Sequence, residues 1–149
     1  MDKTERVELT TLCLIYQGNK LLLQDRKKED WKGYTFPGGH VNRNESIVDA
    51  VIREIKEETG LTIFHPQLCG IKQFPIENGR YLVFLFKTSE FEGTLHSSNE
   101  GKMEWVDRNQ LANYKTAEDF EELLHVIEDN QLTEFQYIIQ NDDWNIKIK

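Results

Sequence analysis

TFPGGHVNRNESIVDAVIREIKEETGL, Thr35 to Leu61, carries the most informative pattern in the chain. Its second half has helical spacing from about Ser46 to Thr59. Val48, Val51, Ile52 and Ile55 cluster on one face, Ser46 stands three residues before Asp49 in a weak capping-box pattern, and Gly60 occupies a favoured C′ position. On an adjacent face Glu54, Glu57 and Glu58 stand at i, i+3 and i+4, so their carboxylates project within an arc of roughly 100°. The bland reading of such a row is a solvated acidic patch. Like charges at this spacing cost an isolated helix about 0.2–0.5 kcal/mol per pair, so the arrangement calls for a cation or water to relieve it.

The first half of the stretch supplies the context. Pro37 fixes one φ, and Gly38-Gly39 permits backbone conformations closed to other residues. Such a loop can turn a main-chain carbonyl toward a cation beside the helical carboxylates, and several oxygens are what a hard divalent ion prefers. With no Cys or His cluster nearby, Mg²⁺ or Mn²⁺ is favoured over Zn²⁺. His40 reads as a polar residue near the mouth of the site rather than a ligand.

Outward from this centre, Val7–Tyr16 and Lys20–Gln24 read as a hairpin across Gln17-Gly18-Asn19. Ile63–Phe74 and Arg80–Lys87 form a second pair around Pro75-Ile76-Glu77-Asn78-Gly79, and Glu104-Trp105-Val106 reads as a short strand. A second amphipathic helix is expected over about Ala117 to Asp129, with Phe120, Leu123, Leu124 and Ile127 on its apolar side. Phe135–Ile139 is compatible with a strand or a helix. Cys13 and Cys69 lie too far apart in sequence, and without a histidine partner, to suggest a metal or redox pair; they read as buried small hydrophobes.

The chain has 149 residues with 26 acids against 18 Lys+Arg, a net charge of −8, 38% hydrophobic and 30% charged residues. That composition suits one soluble domain over residues 1–149 and excludes collagen-like, disulfide-scaffold and wholly disordered chains. The acidity is concentrated between Thr116 and Asp143, which holds nine acids and no Lys or Arg. Nothing resembles the basic stripe that long nucleic acid requires. No apolar run approaches the roughly 18 to 20 residues that span a bilayer, and the N-terminus lacks the layout of a secretory signal, so a cytoplasmic protein is expected.

Gly39-x5-Glu45-x7-Arg53-Glu54-Ile55-Lys56-Glu57-Glu58-Thr59-Gly60-Leu61 resembles the Nudix box at every fixed position of that 23-residue signature. The segment Leu22-Leu23-Gln24-Asp25-Arg26, then Trp31, Phe36-Pro37-Gly38-Gly39 and Glu100-x3-Glu104-Trp105, extends the similarity over most of residues 7 to 128. The resemblance implies an α/β (α+β) fold, an α/β/α sandwich whose mixed sheet carries the box as loop, helix and loop. It implies that Glu54, Glu57 and Glu58 coordinate divalent metal, with the carbonyl of Gly38 or Gly39 as a further ligand and Glu100 as a loop carboxylate that binds metal or accepts a proton. Arg53 would hold the glutamates in place with Glu45 as its partner, and Arg26 could contact phosphate. The implied chemistry is attack of water at phosphorus in a nucleoside diphosphate linked to another moiety, with Glu54 as first choice for the base and Glu100 as second.

The Trp-x4-Phe-Pro-Gly-Gly-His-Val segment looks most like the MutT-like nucleoside triphosphate pyrophosphohydrolases, which often act on oxidised purine nucleotides such as 8-oxo-dGTP. Trp31, Tyr34, Phe74 and Asn113 are candidates to clamp and read a base. The alternatives are a hydrolase of ADP-ribose or another nucleotide conjugate, and a non-catalytic nucleotide-binding regulator. ADP-ribose enzymes commonly carry an extra N-terminal strand region, whereas about six residues precede the first expected strand here. Monomer and homodimer are both compatible with the sequence.

Overall fold

The computed structural model describes residues 1–28 and 32–149. In chain order the elements are β1 (Arg6–Gln17), β2 (Lys20–Arg26), β3 (Gly33–Thr35), β4 (Gly38–His40), α1 (Ile47–Thr59), β5 (Leu61–Phe64), β6 (Gln67–Ile76) and β7 (Gly79–Thr88). They continue with β8 (Glu90–Gly93), β9 (Gly101–Asp107), a 3₁₀ helix (Arg108–Asn113), α2 (Phe120–Glu128), β10 (Glu134–Gln140) and β11 (Asp143–Ile148).

β1 is the spine because both of its faces are apolar in the middle. Cys13 and Ile15 pack with Val51 and Ile55 of α1, while Leu14 on the opposite side packs with Leu85, Leu123 and Val126. A strand buried on both faces needs a helix over each, which gives the α/β/α sandwich expected from the sequence. One edge of β1 runs parallel to β7 from Arg6↔Gly79 to Ile15↔Thr88; the other is shared by β4 and β2. The large sheet runs β11-β10-β6-β7-β1-β2-β3, with β4 on β1 and β9 on β2, and it is mixed because β10 also lies parallel to β6. β5 and β8 form a separate two-stranded sheet.

The first hairpin turns tightly on Gly18-Asn19, with Gly18 at φ 58°. The second expected strand breaks at His65, whose φ is 51°, so β5 and β6 are separate. Its hairpin turns on Glu77-Asn78, with Asn78 rather than Gly79 in the left-handed region at φ 64°. α1 matches its sequence boundaries: the Ser46 hydroxyl accepts from Asp49 N–H at 3.2 Å, and Gly60 at φ 82° closes the helix. α2 starts three residues later than expected because Asp119, at φ 67°, cannot be part of a right-handed helix. Phe135–Ile139 lies in a strand, and β11, unforeseen in the sequence, hairpins back along it. Cys13 is buried and Cys69 half-buried, both as free thiols.

Candidate active site

α1 and β4 bring the candidate ligands together. β4 pairs with β1 so that Gly39 lies opposite Thr11, and Gly39 sits directly under Glu54: a Cβ there would meet Glu54 Oε2 at 2.3 Å. Any larger residue would therefore displace the carboxylate. The segment read from sequence as a loop is a short strand. The bonds from Cys13 N–H to the Pro37 carbonyl and from Val41 N–H to the Leu9 carbonyl set the phase of its ladder, so the Gly39 carbonyl faces β1, where Thr11 Oγ1 also donates to it at 3.3 Å, and the Gly38 carbonyl faces away from β1.

Arg53 organises the acidic face. Its Nε and Nη2 donate to both oxygens of Glu45, at 2.8 and 3.0 Å, in the bidentate arrangement that fixes a guanidinium plane. Nη2 also donates to the His40 carbonyl at 2.9 Å, and Nη1 donates to Glu54 at 2.9 Å and to Glu57 at 3.2 Å. The link from Glu45 through Arg53 to the glutamates matches the sequence expectation. Glu58 turns the other way, accepting from buried Gln24 Nε2 at 3.0 Å and Ser98 Oγ at 2.9 Å. Ser98 also accepts from Glu100 N–H at 3.2 Å, which places that loop next to Glu58, and Lys28 reaches Glu100 at 3.6 Å.

Electrostatics follow from this packing. Burial pushes the Glu54 carboxyl above its usual range; Arg53 opposes the shift, while Glu57 and Glu100 add to it. Glu58 is also pushed up, first by burial and then by Glu100, against the stabilising bonds from Ser98 and Gln24. These carboxylates are thus removed from water and repel one another. Among the described residues, no three His, Cys, Asp or Glu side chains already converge as a metal cage. Glu54 and Glu57 lean on Arg53 while Glu58 leans on Gln24 and Ser98. The donor set is nonetheless one a hard divalent cation fits: all oxygen, all anionic, and destabilised by its own charge.

The remaining candidates divide. Arg26 ends β2 and faces Lys72 electrostatically. Phe74 stacks on Tyr81 with ring centroids 4.7 Å apart, and Tyr81 meets the ring of His40 edge-on at 6.2 Å, one residue from Gly39. This row of rings lies on the α2 side of the sheet, opposite the side that Gly39 turns toward Glu54. Tyr34 instead packs edge-on against Tyr114, and exposed Asn113 donates to Gln110; among the described residues, no hydrogen bond or ring contact joins either to the glutamates. Trp31 lies outside the described residues. His40 is exposed and pairs with Glu8 at 2.6 Å, in keeping with a polar residue at the mouth.

Sequence reasoning missed Gln24, Ser98, Asp119 and Lys72. Lys72 is 1% exposed, with its ammonium 5.3–5.9 Å from the ring centres of Phe135, Tyr137 and Phe74. Burial pulls its pKa down to about 7, with Asp119 opposing that fall and Arg26 adding to it. Its period-2 alignment with Phe74 was the available signal.

A mixed sheet between two helices, one bearing a carboxylate row over a glycine strand, is the architecture of MutT structures. The crystal structure of a MutT protein from Bacillus halodurans superposes with a TM-score of 0.79 at 28% identity, covering 95% of this chain and 97% of that one. The NUDIX domain model matches residues 7–127, and the chain belongs to that family of hydrolases of phosphorus anhydrides. Among curated relatives, an uncharacterized Nudix hydrolase of Bacillus subtilis is 35% identical over 117 residues, 74% of this chain and 73% of that protein. An ADP-ribose pyrophosphatase of Methanocaldococcus jannaschii is 36% identical over 115 residues, 74% and 67% respectively. An oxidized purine nucleoside triphosphate hydrolase of Danio rerio is 31% identical over 110 residues, 70% and 69%.

Proposed function

We propose that this hydrolase cleaves nucleoside triphosphates, oxidised purine nucleotides such as 8-oxo-dGTP among them, to monophosphate and pyrophosphate with the aid of Mg²⁺ or Mn²⁺. The observation that carries the reading is the pair of water-shielded carboxylates, Glu54 and Glu58, pushed above their usual pKa range beside Glu57 and Glu100. Arg53, which reaches Glu54 and Glu57, is shared with Glu45.

Glu54, Glu57, Glu58 and Glu100, with the carbonyl of Gly38 or Gly39, would hold the metal, and Glu57 is exposed enough to swing from Arg53 toward it. A bound ion supplies neutralisation of phosphate charge and a lowered pKa for water. Glu54, half-shielded from water and held by Arg53 beside the metal position, is the first choice to accept the proton from the attacking water. Glu100 is the second choice for that role. Arg53 positions Glu54 and Glu57, and Arg26 contacts the phosphates. Trp31, Tyr34, Phe74 and Asn113 are the candidates to clamp and read the base, and Phe74 among them is backed by a stacked ring, Tyr81.

A second reading, hydrolysis of ADP-ribose or another nucleoside diphosphate conjugate, is supported by the Methanocaldococcus relative. A panel of nucleoside triphosphates, 8-oxo-dGTP, ADP-ribose and dinucleoside polyphosphates, assayed with Mg²⁺ and with EDTA and resolved by chromatography, separates the two. Triphosphates yielding monophosphate and pyrophosphate, with turnover lost in EDTA, is the expected result. A higher kcat/KM for ADP-ribose would overturn it in favour of the second reading.

A further inference from the structure

The large sheet ends at β11, and no described strand pairs with its outer edge. The main-chain groups of Glu134 and Lys149 bond reciprocally, at 2.8 and 3.0 Å, and this sets the phase of the β10–β11 ladder. Hydrogen-bonded pairs alternate along an antiparallel ladder, so 136/147, 138/145 and 140/143 are bonded pairs as well. The N–H and C=O groups of Trp144, Ile146 and Ile148 consequently point away from β10 to the open edge.

The side chains of these three residues share one face. Trp144 is 50% exposed and Ile148 36%, beside Ile139 at 42%. Trp144 also closes an aromatic row, 5.3 Å from Tyr137 and 6.0 Å from Phe74. Edge strands are usually short, covered or studded with charge on both faces, and this one keeps an apolar face along its length.

Reversed against itself, the strand is complementary. An antiparallel pair centred on Ile146 sets Trp144 opposite the partner's Ile148, Ile146 opposite the partner's Ile146, and Asp143 opposite the partner's Lys149. The residues thus matched are the ones whose main-chain groups face outward, giving three bonded pairs (144 with 148, 146 with 146, 148 with 144). A centre on Asn145 keeps only the two pairs of 144 with 146. One face then matches apolar with apolar, and the other pairs acid with base at 143 and 149 and amide with base at 145 and 147.

We propose that two copies of this chain associate through antiparallel pairing of their β11 edges about Ile146, joining the two sheets into one. Pairing along so short a strand lies at the small end of stable interfaces, so the dimer forms reversibly and with concentration.

Sedimentation velocity over a concentration series, on the full chain, tests this with D143K, K149D and their equimolar mixture. The wild type should pass from monomer to dimer. Each variant alone should need at least about tenfold more protein, since like charges then face across the two-fold, and the mixture should regain wild-type association because the reversed charges meet. Circular dichroism checks that the variants are folded. Hydrogen exchange should show amides of Trp144, Ile146 and Ile148 gaining protection with concentration while those of Asn145 and Lys147 do not change. A wild type that stays monomeric throughout, a D143K variant that dimerises equally, or concentration-dependent protection on another element would overturn the proposal. Binding of some other protein's strand, with no self-association, would overturn it equally.

Discussion

Along α1, three carboxylates of one sign stand within two turns, and a single guanidinium holds two of them. Along β11, Asp143, Asn145 and Lys147 alternate with Trp144, Ile146 and Ile148, and the outer edge bonds to no described strand. The first region carries a charge imbalance that its own residues relieve only in part. The second is balanced in charge but unfinished in hydrogen bonding and burial. Each is incomplete in the currency of its expected visitor, a cation in one case and a second β-strand in the other.

If that contrast is right, Glu57→Gln should have the largest effect. It removes a charge from a side chain that is 57% exposed without changing its shape, so stability should move by no more than about 0.5 kcal/mol. kcat/KM should fall by about 10²–10³, the size expected when one preorganised charge is lost from a transition-state site. Steady-state kinetics beside a denaturant melt decides it, and near-wild-type turnover with Mg²⁺ would dissolve the contrast from the α1 side.

Gly39→Ala should come next. The added methyl would lie 2.3 Å from Glu54 Oε2, so the carboxylate must move; a displacement of about 1 Å at a reacting group can cost about a hundredfold in kcat. Gly18→Ala is the comparison outside the site: a Cβ there meets nothing within 4 Å, so kcat should hold, while the left-handed φ of 58° lowers stability, which a denaturant melt reads separately.

A subtler effect concerns pH. Glu54 and Glu58 have pKa values raised above the ordinary 4.5 by burial. Between that value and the raised ones the native state holds protons that the unfolded chain has released. Stability without metal should therefore fall as pH climbs through this window. Glu58→Gln should flatten the fall in metal-free Tm and shrink the rise in Tm on adding Mg²⁺; a wild-type metal-free Tm that rises across the window would contradict the assignment. Smallest of all, Asp143→Lys should leave kcat/KM within about twofold, because β11 and α1 serve separate purposes.

The sequence made α1 legible because every device there is local. A serine cap, a glycine stop, an apolar stripe and a glutamate row all act within a turn or two. The β1–β2 and β6–β7 hairpins were legible for the same reason, through their turn residues. The C-terminal hairpin was not, although Asn141 and Asp142 both take positive φ, 53° and 67°, as a two-residue hairpin turn needs. Phe135–Ile139 is apolar enough for either a strand or a helix, and only its parallel pairing with distant β6 decides the matter. β4 was read as a loop because two of its three residues are glycine; its strand character comes from register with β1. Burial of Lys72 likewise arises when β10 crosses beside it, through Phe135 and Tyr137, and no local pattern announces that.

The most direct test of the central claim, that the α1 face is a divalent-metal centre for phosphoanhydride hydrolysis, is a substoichiometric Mn²⁺ titration followed by amide NMR, with turnover assayed on the same samples. Gly39, Glu54, Glu57 and Glu58 should broaden first, and activity should rise with them. Broadening that begins instead among the acids of residues 118–129, or turnover that is unaffected by metal, would contradict it.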